Sequence, residues 1–303
     1  MRKALCHSLV RHAADPEFVF LTGDLGFQAL EPLREAAGRR FINAGVAEQN
    51  MVSAAAGLAW TGLKPWVYSI ASFLSARPYE QIRNDICAHD MAVTLVGNGG
   101  GYGYGVMGGS HHALSDYGAL LCLDRMHVFV PAFAADVGVI VDRLARFPHP
   151  AYLRLGRCEL PPDAAWPPYS AWRQLLEGRG LTAVVVGPLA GGLWAALGEL
   201  PPDRRPSLWV LAELPVAASS LPPLFLEQLG RSGHLMVIEE HVPSGGAAEA
   251  LLYALAVAGR SPARFSHRCA VGYPSGFYGS QSFHRRECGL DAKSIFAGMD
   301  HDA

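Results

Sequence analysis

The sequence predicts an α/β fold of two doubly wound domains, in which parallel sheets are covered by helices on both faces. Short apolar runs alternate with helical segments along most of the 303 residues, an order typical of parallel sheets. Half of the residues are hydrophobic, which is enough for two cores at the usual domain size of roughly 100–200 residues. Four prolines in ELPPDAAWPPY, residues 159–169, favour an extended connector. We therefore expect domains at residues 1–158 and 172–303, joined by a linker at residues 159–171.

In the first domain, strands and helices are expected to follow each other as in a doubly wound sheet. Continuous apolar runs predict buried strands, and apolar residues spaced 3.6 apart predict helices. The predicted strands are FVFLTGD, KPWVYSI, MAVTLVG and MHVFVP. One helix is predicted to begin near Val46, and two more are predicted at residues 75–88 and 134–147.

In the second domain, residues 180–198 carry no charge and are long enough to resemble a membrane span. Pro188 and the pair Gly191-Gly192 divide them into a strand, a turn and a short helix, so we expect no membrane segment there. Strands are expected near residues 183–186, 208–212 and 235–239.

Charge and cysteine content exclude some classes of function. The net charge is −2 and no block of Lys or Arg is present, so we expect no binding to nucleic acid or to an anionic membrane. The six cysteines form no C-x-x-C pair, and we expect no secretory signal before them. A reduced, cytoplasmic location is therefore expected.

The run FINAGVAEQNMVSAAAGLA sets one carboxylate, Glu48, among small apolar residues. In a helix that begins near Val46, Glu48 lies in the first turn. The apolar stripe of that helix is Val52, Ala55, Ala56 and Ala59. A buried carboxylate is costly without a partner, so some group must bond to Glu48. The side chain either takes part in chemistry or caps backbone N–H groups at the helix start.

Several segments, in this order, resemble the transketolase family over nearly the whole chain. They are the Glu48 run, YSIASFLSARPYEQIRND, GGSHHALSD, YLRLGR and VIEEHVPSGGAAEAL. The last resembles the family's C-terminal domain, and the Glu48 run resembles its pyrimidine-binding domain. The resemblance implies thiamine diphosphate as the cofactor. It gives Glu48 a catalytic and cofactor-binding role, in which the carboxyl shares a proton with N1′ of the aminopyrimidine.

The chain lacks the G-D-G motif with which this family holds the diphosphate and a divalent ion. Its Gly23-Asp24 pair continues as Leu25-Gly26. The resemblance also implies that 303 residues are about half of a complete transketolase. We therefore expect a subunit of a split enzyme with no metal ligand of its own, whose partner is the N-terminal half and supplies most ligands of Mg²⁺. An α2β2 heterotetramer is the simplest closed assembly.

The loop GNGGGYGYGVMGG contains a G-x-G-x-x-G pattern at Gly103, Gly105 and Gly108. It lies deep in a loop rather than between a strand and a helix, so we reject a dinucleotide site. In the resembled family this loop lines the channel to the thiazolium ring. Sugar-phosphate transketolases carry polar substrate-reading residues where this chain has Gly99 and Met107, so recognition of substrate hydroxyls is expected to differ.

His111 follows this loop in a G-x-H context that matches a family histidine facing the reacting carbons. The resemblance makes it a catalytic and substrate-binding residue, because a neutral imidazole can exchange a proton with a developing alkoxide. His112 is a second substrate-binding candidate. The alternative is that both histidines cap a helix formed by HHALSDYGALL.

Other cofactor-binding candidates are Phe73, Tyr79 and Asp24. In the family, an aromatic ring at the Phe73 position packs on the aminopyrimidine, and the family match puts Asp24 near the thiazolium ring. Tyr79 either contacts the cofactor or is a core aromatic at helical spacing, and the same alternative, less favoured, applies to Phe73. Ala76 replaces a further aromatic residue of the family cradle, so one wall is expected to be missing or supplied by the partner.

Arg154 and Arg157 resemble the family arginine that binds substrate phosphate, for which a planar fork of donors is suited. Either one could instead form an interdomain salt bridge. In the second domain, Glu239, Glu240 and His241 precede a glycine-rich turn into a helix. They either reach a subunit interface or merely finish a strand, and we expect the interface.

These expectations combine into a thiamine diphosphate-dependent transferase. It would move a two-carbon ketol or acyl unit from a ketose or 2-oxo donor to an aldehyde, with small-molecule sugars as substrates. One alternative is the β subunit of a 2-oxoacid dehydrogenase or a decarboxylating synthase. Another is a non-catalytic scaffold subunit.

Overall fold

The computed structural model describes residues 1–158 and 166–301, so residues 159–165 of the predicted linker lie outside the described residues. Up to residue 158, strands and helices alternate as the apolar pattern predicts. They are α1 (Arg2–His12), β1 (Phe18–Thr22), α2 (Glu31–Ala37), β2 (Phe41–Asn43), α3 (Glu48–Trp60), β3 (Lys64–Ile70), α4 (Ala71–Ala76), α5 (Tyr79–Gln81), a π-helical turn (Ile82–Cys87), β4 (Thr94–Asn98), α6 (Asp116–Leu121), β5 (His127–Phe129), α7 (Asp136–Leu144) and β6 (Ala151–Leu155).

From residue 166 onward the same alternation recurs. The elements are β7 (Trp172–Leu176), β8 (Thr182–Val186), α8 (Leu189–Gly198), β9 (Ser207–Leu211), β10 (Glu213–Leu214), α9 (Pro223–Ser232), β11 (His234–Ile238), α10 (Ala247–Val257), β12 (Arg264–Arg268), α11 (Gln281–Glu287) and α12 (Ala292–His301). The uncharged residues 180–198 form β8, a turn at Pro188 and α8, which confirms the predicted strand, turn and helix, but the pair Gly191-Gly192 lies inside α8 and does not break the chain. In the described part of the chain, no helix is both long enough and apolar enough to cross a membrane.

The strands form two sheets, which confirms the predicted α/β class. The first has seven strands in the order β10-β5-β6-β4-β3-β1-β2, and the second has five in the order β12-β11-β8-β9-β7. The central strands pair in parallel, with Leu21 of β1 opposite Val67 of β3 and Val67 opposite Leu95 of β4. On one face, α3 packs its buried stripe of small and apolar side chains against the first sheet. Parallel strands buried on both faces need such continuous apolar runs.

Two edge strands are antiparallel, which the sequence analysis did not predict. β7 pairs antiparallel with β9, and β10 pairs antiparallel with β5. β10 follows β9 of the second sheet yet completes the first, and Val130 N–H donates to Ala212 O next to this pair. The second half of the chain therefore supplies an edge strand to the first sheet, and this joins the two halves.

The single helix predicted at residues 75–88 is wrong. α4 ends at Ala76, a short α5 follows, and Ile82–Cys87 forms a π-helical turn. The break lies at Pro78, which has no backbone N–H to donate to the preceding turn. The chain thus places Arg77 at the end of α4, facing the carboxyl edge of the first sheet.

The six cysteines are free thiols. Cytoplasmic location remains a prediction from the sequence.

Candidate active site

Four of the predicted site residues follow carboxyl ends of parallel strands in the first sheet. Asp24 follows β1, Glu48 follows β2, Phe73 follows β3 and Arg157 follows β6. Carboxyl ends of parallel strands meet at one edge, and doubly wound folds bind ligands there. The fold therefore places along one sheet edge residues that are up to 133 positions apart in the sequence.

Glu48 is the first residue of α3, and only 4% of it is exposed. Ser69, at the end of β3, donates its hydroxyl to Glu48 Oε1 across 3.3 Å. A buried carboxylate needs a stronger partner than one hydroxyl. The structure confirms that such a partner exists.

That partner is Arg77, which the sequence analysis missed. Arg77 Nη1 lies 2.8 Å from Glu48 Oε1 and 2.9 Å from Oε2. Its Cζ lies 3.8 Å from the centre of the Phe73 ring, a cation–π contact. Phe73 and Arg77 are four residues apart at the end of a helix, and this spacing is a sequence signal from which the contact could have been predicted.

His111 lies on the other side of Phe73. Its ring centre is 5.1 Å from that of Phe73 and 5.7 Å from that of Tyr104, and its Nδ1 contacts Ser110 Oγ at 3.0 Å. Tyr104 in turn accepts a hydrogen bond from Asn98 at the end of β4. The predicted residues Glu48, Phe73 and His111 thus belong to one continuous chain of contacts, and Tyr104 extends it.

Both ring nitrogens of His112 are engaged inside the chain. Nε2 lies 2.8 Å from Gly105 O, which can only accept, so Nε2 carries the proton. Nδ1 lies 2.8 Å from the Tyr273 hydroxyl and accepts from it. Burial lowers the pKa of His112, which favours this neutral form. A substrate contact by His112 would require one of these bonds to open.

The helix-capping alternative for the two histidines does not match the structure. The helix predicted for HHALSDYGALL begins only at Asp116. Ala113 exchanges two backbone hydrogen bonds with Gly101, at 2.9 and 3.0 Å, so this segment is held as an extended bridge instead.

Arg154 is buried at the junction of the two sheets. It donates from Nε to Asp116 Oδ2 at 2.8 Å and from Nη2 to Ala113 O and Glu240 O, at 2.7 and 3.0 Å. Its side chain is 4% exposed. This is the interdomain alternative that the sequence left open, and a substrate contact would require Arg154 to leave all three acceptors.

Glu239, Glu240 and His241 were expected at a subunit interface, and that expectation is wrong. All three are buried where β11 meets the first half of the chain. Glu239 accepts from Tyr117 and His267 and from two N–H groups at the start of α10, while Glu240 accepts from Tyr102 N–H and Arg285. The strand end is therefore inside this chain, because its charges have internal partners.

Arg157 lines a cavity of about 630 Å³ next to the glycine-rich loop. Arg2 and Lys3 of α1 line the same cavity, as do Asn98 and Tyr104. Three cationic side chains around one cavity can hold an anionic group. Because Tyr104 also contacts His111, the cavity adjoins the Glu48 site.

Tyr79 and Asp24 are less closely tied to this site. Tyr79 packs against the core, and its hydroxyl donates to Ala119 O at 3.2 Å. Asp24 is exposed and accepts from Asn43 Nδ2 at 3.2 Å. Their cofactor-binding roles remain predictions.

The structure explains the departure at Gly99. Its φ is +75°, and an added Cβ would lie 2.3 Å from the Tyr104 ring. A side chain there would push Tyr104 away from His111. Met107, by contrast, is 55% exposed within the same loop, and its side chain is accommodated there.

Residues 1–162 match the family model described as transketolase, pyrimidine binding domain. Over 294 residues the chain is 33% identical to 1-deoxy-D-xylulose-5-phosphate synthase of Myxococcus xanthus, covering 93% of this chain and 48% of that protein. It is 29% identical to one of the subunits of the apulose-4-phosphate transketolase of Phocaeicola vulgatus, covering 81% of this chain and 80% of that one. The chain thus spans about half the length of the synthase but most of the transketolase subunit.

Two solved structures resemble the fold along the whole chain. A split gene transketolase described as an inactive beta4 tetramer superposes with a TM-score of 0.81 and 29% identity, covering 99% of this chain and 96% of that one. Transketolase from Leishmania mexicana gives a TM-score of 0.77 at 16% identity, covering 99% of this chain and 45% of that one, and supports the fold alone. With the match to the pyrimidine-binding model over more than half of its length, this chain belongs to the transketolase family.

Proposed function

We propose that this chain is the C-terminal-half subunit of a split, thiamine diphosphate-dependent transketolase-like enzyme. It holds the aminopyrimidine side of the cofactor and works with a partner that carries the diphosphate site. The observation that carries the proposal is the geometry of Glu48 and Phe73, a buried carboxylate and an aromatic face linked through one planar group.

The residues fit this cofactor on one condition. A buried carboxylate and a ring face at the carboxyl edge of the sheet suit a flat heterocycle that both stacks and hydrogen-bonds. The Arg77 guanidinium lies between them, so the heterocycle would fit only after Arg77 moves.

When bound, the cofactor would supply the electron sink for cleavage and transfer of a two-carbon unit. Glu48 would share a proton between its carboxyl and a nitrogen of the aminopyrimidine. His111, in contact with Phe73 and Tyr104, would exchange a proton with the substrate oxygen next to the reacting carbon.

The cavity lined by Arg157, Arg2 and Lys3 supports an anionic substrate group, such as the phosphate of a sugar phosphate. Arg157 is favoured over Arg154 for this role, because the partners of Arg154 among the described residues all lie inside the chain. The donor and acceptor sugars are not specified by these contacts.

The names of two relatives support a partner subunit for this chain. One relative is named as a subunit of a transketolase, and a structural relative is titled a split gene transketolase. We propose the N-terminal half as partner, with most Mg²⁺ ligands on it, in an α2β2 heterotetramer.

We also propose the division into domains at residues 1–158 and 172–303 with a linker at residues 159–171. The first boundary lies close to the end of the family match at residue 162.

The test is to co-express this chain with a candidate N-terminal-half protein encoded beside its gene and to purify the pair by a tag on one chain. Calorimetric titration with thiamine diphosphate and Mg²⁺ should show saturable binding by the pair and none by this chain alone. Glu48→Ala should abolish ketol transfer, whereas Glu35→Ala, at an exposed position of α2, should leave it unchanged. Diphosphate-dependent binding by the isolated chain, or a pair that binds nothing, would contradict the split-site proposal and favour a scaffold subunit.

A further inference from the structure

We propose that Arg77 is a removable occupant of the cofactor site: its guanidinium takes the place of the aminopyrimidine between Glu48 and Phe73 and must move out before the cofactor binds. This inference rests on the proposed function. It concerns the loading of the site, which neither the family match nor the relatives describe.

The first step is that Arg77 makes both contacts that a flat heterocycle would make there. Its Nη1 donates to both oxygens of Glu48, at 2.8 and 2.9 Å. Its planar group lies over the Phe73 ring with Cζ 3.8 Å from the ring centre. A guanidinium is flat, carries N–H donors and stacks on aromatic faces, so it imitates one edge and one face of an aminopyrimidine.

The second step is that the two groups exclude each other. Carbon atoms in contact are separated by about 3.5–4.0 Å, so a guanidinium centre at this distance from the Phe73 ring fills the whole layer above that face. No second planar group can stack on the same face while Arg77 stays. Glu48 is 4% exposed in this arrangement, so its oxygens are also covered.

The third step is that Arg77 can leave. Its side chain is 42% exposed, and it lies where α4 ends before Pro78. Among the described residues, its guanidinium donates to Glu48 alone, and water can replace that bond when the side chain swings outward. Arg154 at the sheet junction has three acceptors and 4% exposure, so it could not do the same.

A site that is open only part of the time has a proportionally weaker apparent affinity. If Arg77 occupies the site about 90% of the time, removing it should tighten cofactor binding about tenfold. The association rate should rise by a similar factor, because fewer encounters meet a closed site.

The experiment measures thiamine diphosphate binding, with Mg²⁺, by the co-purified pair. Arg77→Ala should lower Kd about tenfold and speed association, and Arg77→Lys, which keeps the charge but loses the planar stack, should lie between it and the wild type. Arg83→Ala is the matched control, because Arg83 is an exposed arginine in the π-helical turn that follows. Its side chain donates a hydrogen bond to the neighbouring Asn84. Thermal melts of each variant establish that it is folded.

An unchanged or weaker affinity in folded Arg77→Ala would overturn the proposal, and a weaker one would identify Arg77 as a wall of the cofactor site. Saturable binding by the wild-type pair would leave the proposed function intact in either case. Absence of binding by both the wild type and Arg77→Ala would overturn the proposed function and this inference with it.

Discussion

Glu48 and Asp116 are two buried carboxylates that each pair with one arginine, yet their surroundings differ. Glu48 pairs with Arg77, whose side chain is 42% exposed, whereas Asp116 pairs with Arg154, whose side chain is 4% exposed. Tyr152 also donates to Asp116, at 2.7 Å. Both carboxylates are buried, so the exposure of the arginine is what distinguishes the two pairs.

The Arg154–Asp116 pair is enclosed on both sides, whereas the Arg77–Glu48 pair is open to water on the arginine side. At the sheet junction, Arg154 bonds to three acceptors from both halves of the chain, and neither ion can reach water. At the candidate site, one member can be solvated without unfolding. A carboxylate whose partner can be exchanged is suited to bind a ligand, and an enclosed pair is suited to hold domains together.

Breaking the enclosed pair of Arg154 and Asp116 should change the stability of the protein more than any other substitution considered below. Arg154→Ala leaves Asp116 as a buried charge without its cation, and we expect a loss of about 3–5 kcal/mol in the free energy of unfolding. Arg77→Ala should cost less than about 1 kcal/mol, because water can reach Glu48 once the side chain is removed. Urea denaturation of both variants measures the difference.

Equal losses in the two variants would erase the distinction between the pairs. Arg154→Lys is a useful companion variant, because it keeps the charge but cannot reproduce the three donated bonds. We expect its stability to lie between that of the wild type and that of Arg154→Ala.

The next effect is a pH dependence confined to the junction. His241 is buried, accepts from Gly118 N–H through Nε2 and donates from Nδ1 to Val242 O, so it is neutral. Burial lowers the pKa of His241 below its ordinary value of 6.5; Asp116 and Glu239 oppose this shift and Arg154 adds to it. The unfolded chain therefore binds a proton first as pH falls, and stability is lost below about pH 6.5.

Urea denaturation at pH 7 and pH 5 tests this sign. The wild type should be less stable at pH 5, and His241→Gln, which cannot titrate, should lose less stability between the two pH values. An identical loss in the variant would assign the acid sensitivity to other groups, of which His112 at the glycine-rich loop is the first to examine, since burial lowers its pKa as well.

The smallest effect is expected at an exposed cluster of three charged side chains. Lys64 lies 3.0 Å from Asp15 and 2.8 Å from Glu17, and these side chains are 37–52% exposed. Lys64→Met should change the free energy of unfolding by less than about 1 kcal/mol, and the difference should vanish in high salt. A loss as large as that in Arg154→Ala would show that exposure does not control the strength of ion pairs in this protein.

Much of the fold could be predicted because its signals are local. The apolar runs of β1, β3, β8 and β11 and the stripe of α3 are each read within a few residues, and the structure confirms them. The break at Pro78 and the short β10 were missed. The break at Pro78 combines a proline with a π-helical turn. The short β10 depends on its pairing with β5 at the edge of the seven-stranded sheet.

At the candidate site, the burial of Glu48 among small residues and its need for a partner could be predicted from the sequence, because burial of a charge follows from its neighbours in the helix. The identity of that partner depends on how the chain folds in three dimensions. It also decided that Arg154 closes the junction while Arg157 lines a cavity, although the two lie three residues apart. Arg154 lies in β6 and Arg157 lies in the loop that follows it, so their side chains enter different surroundings. Those surroundings are formed by segments that are distant in the sequence.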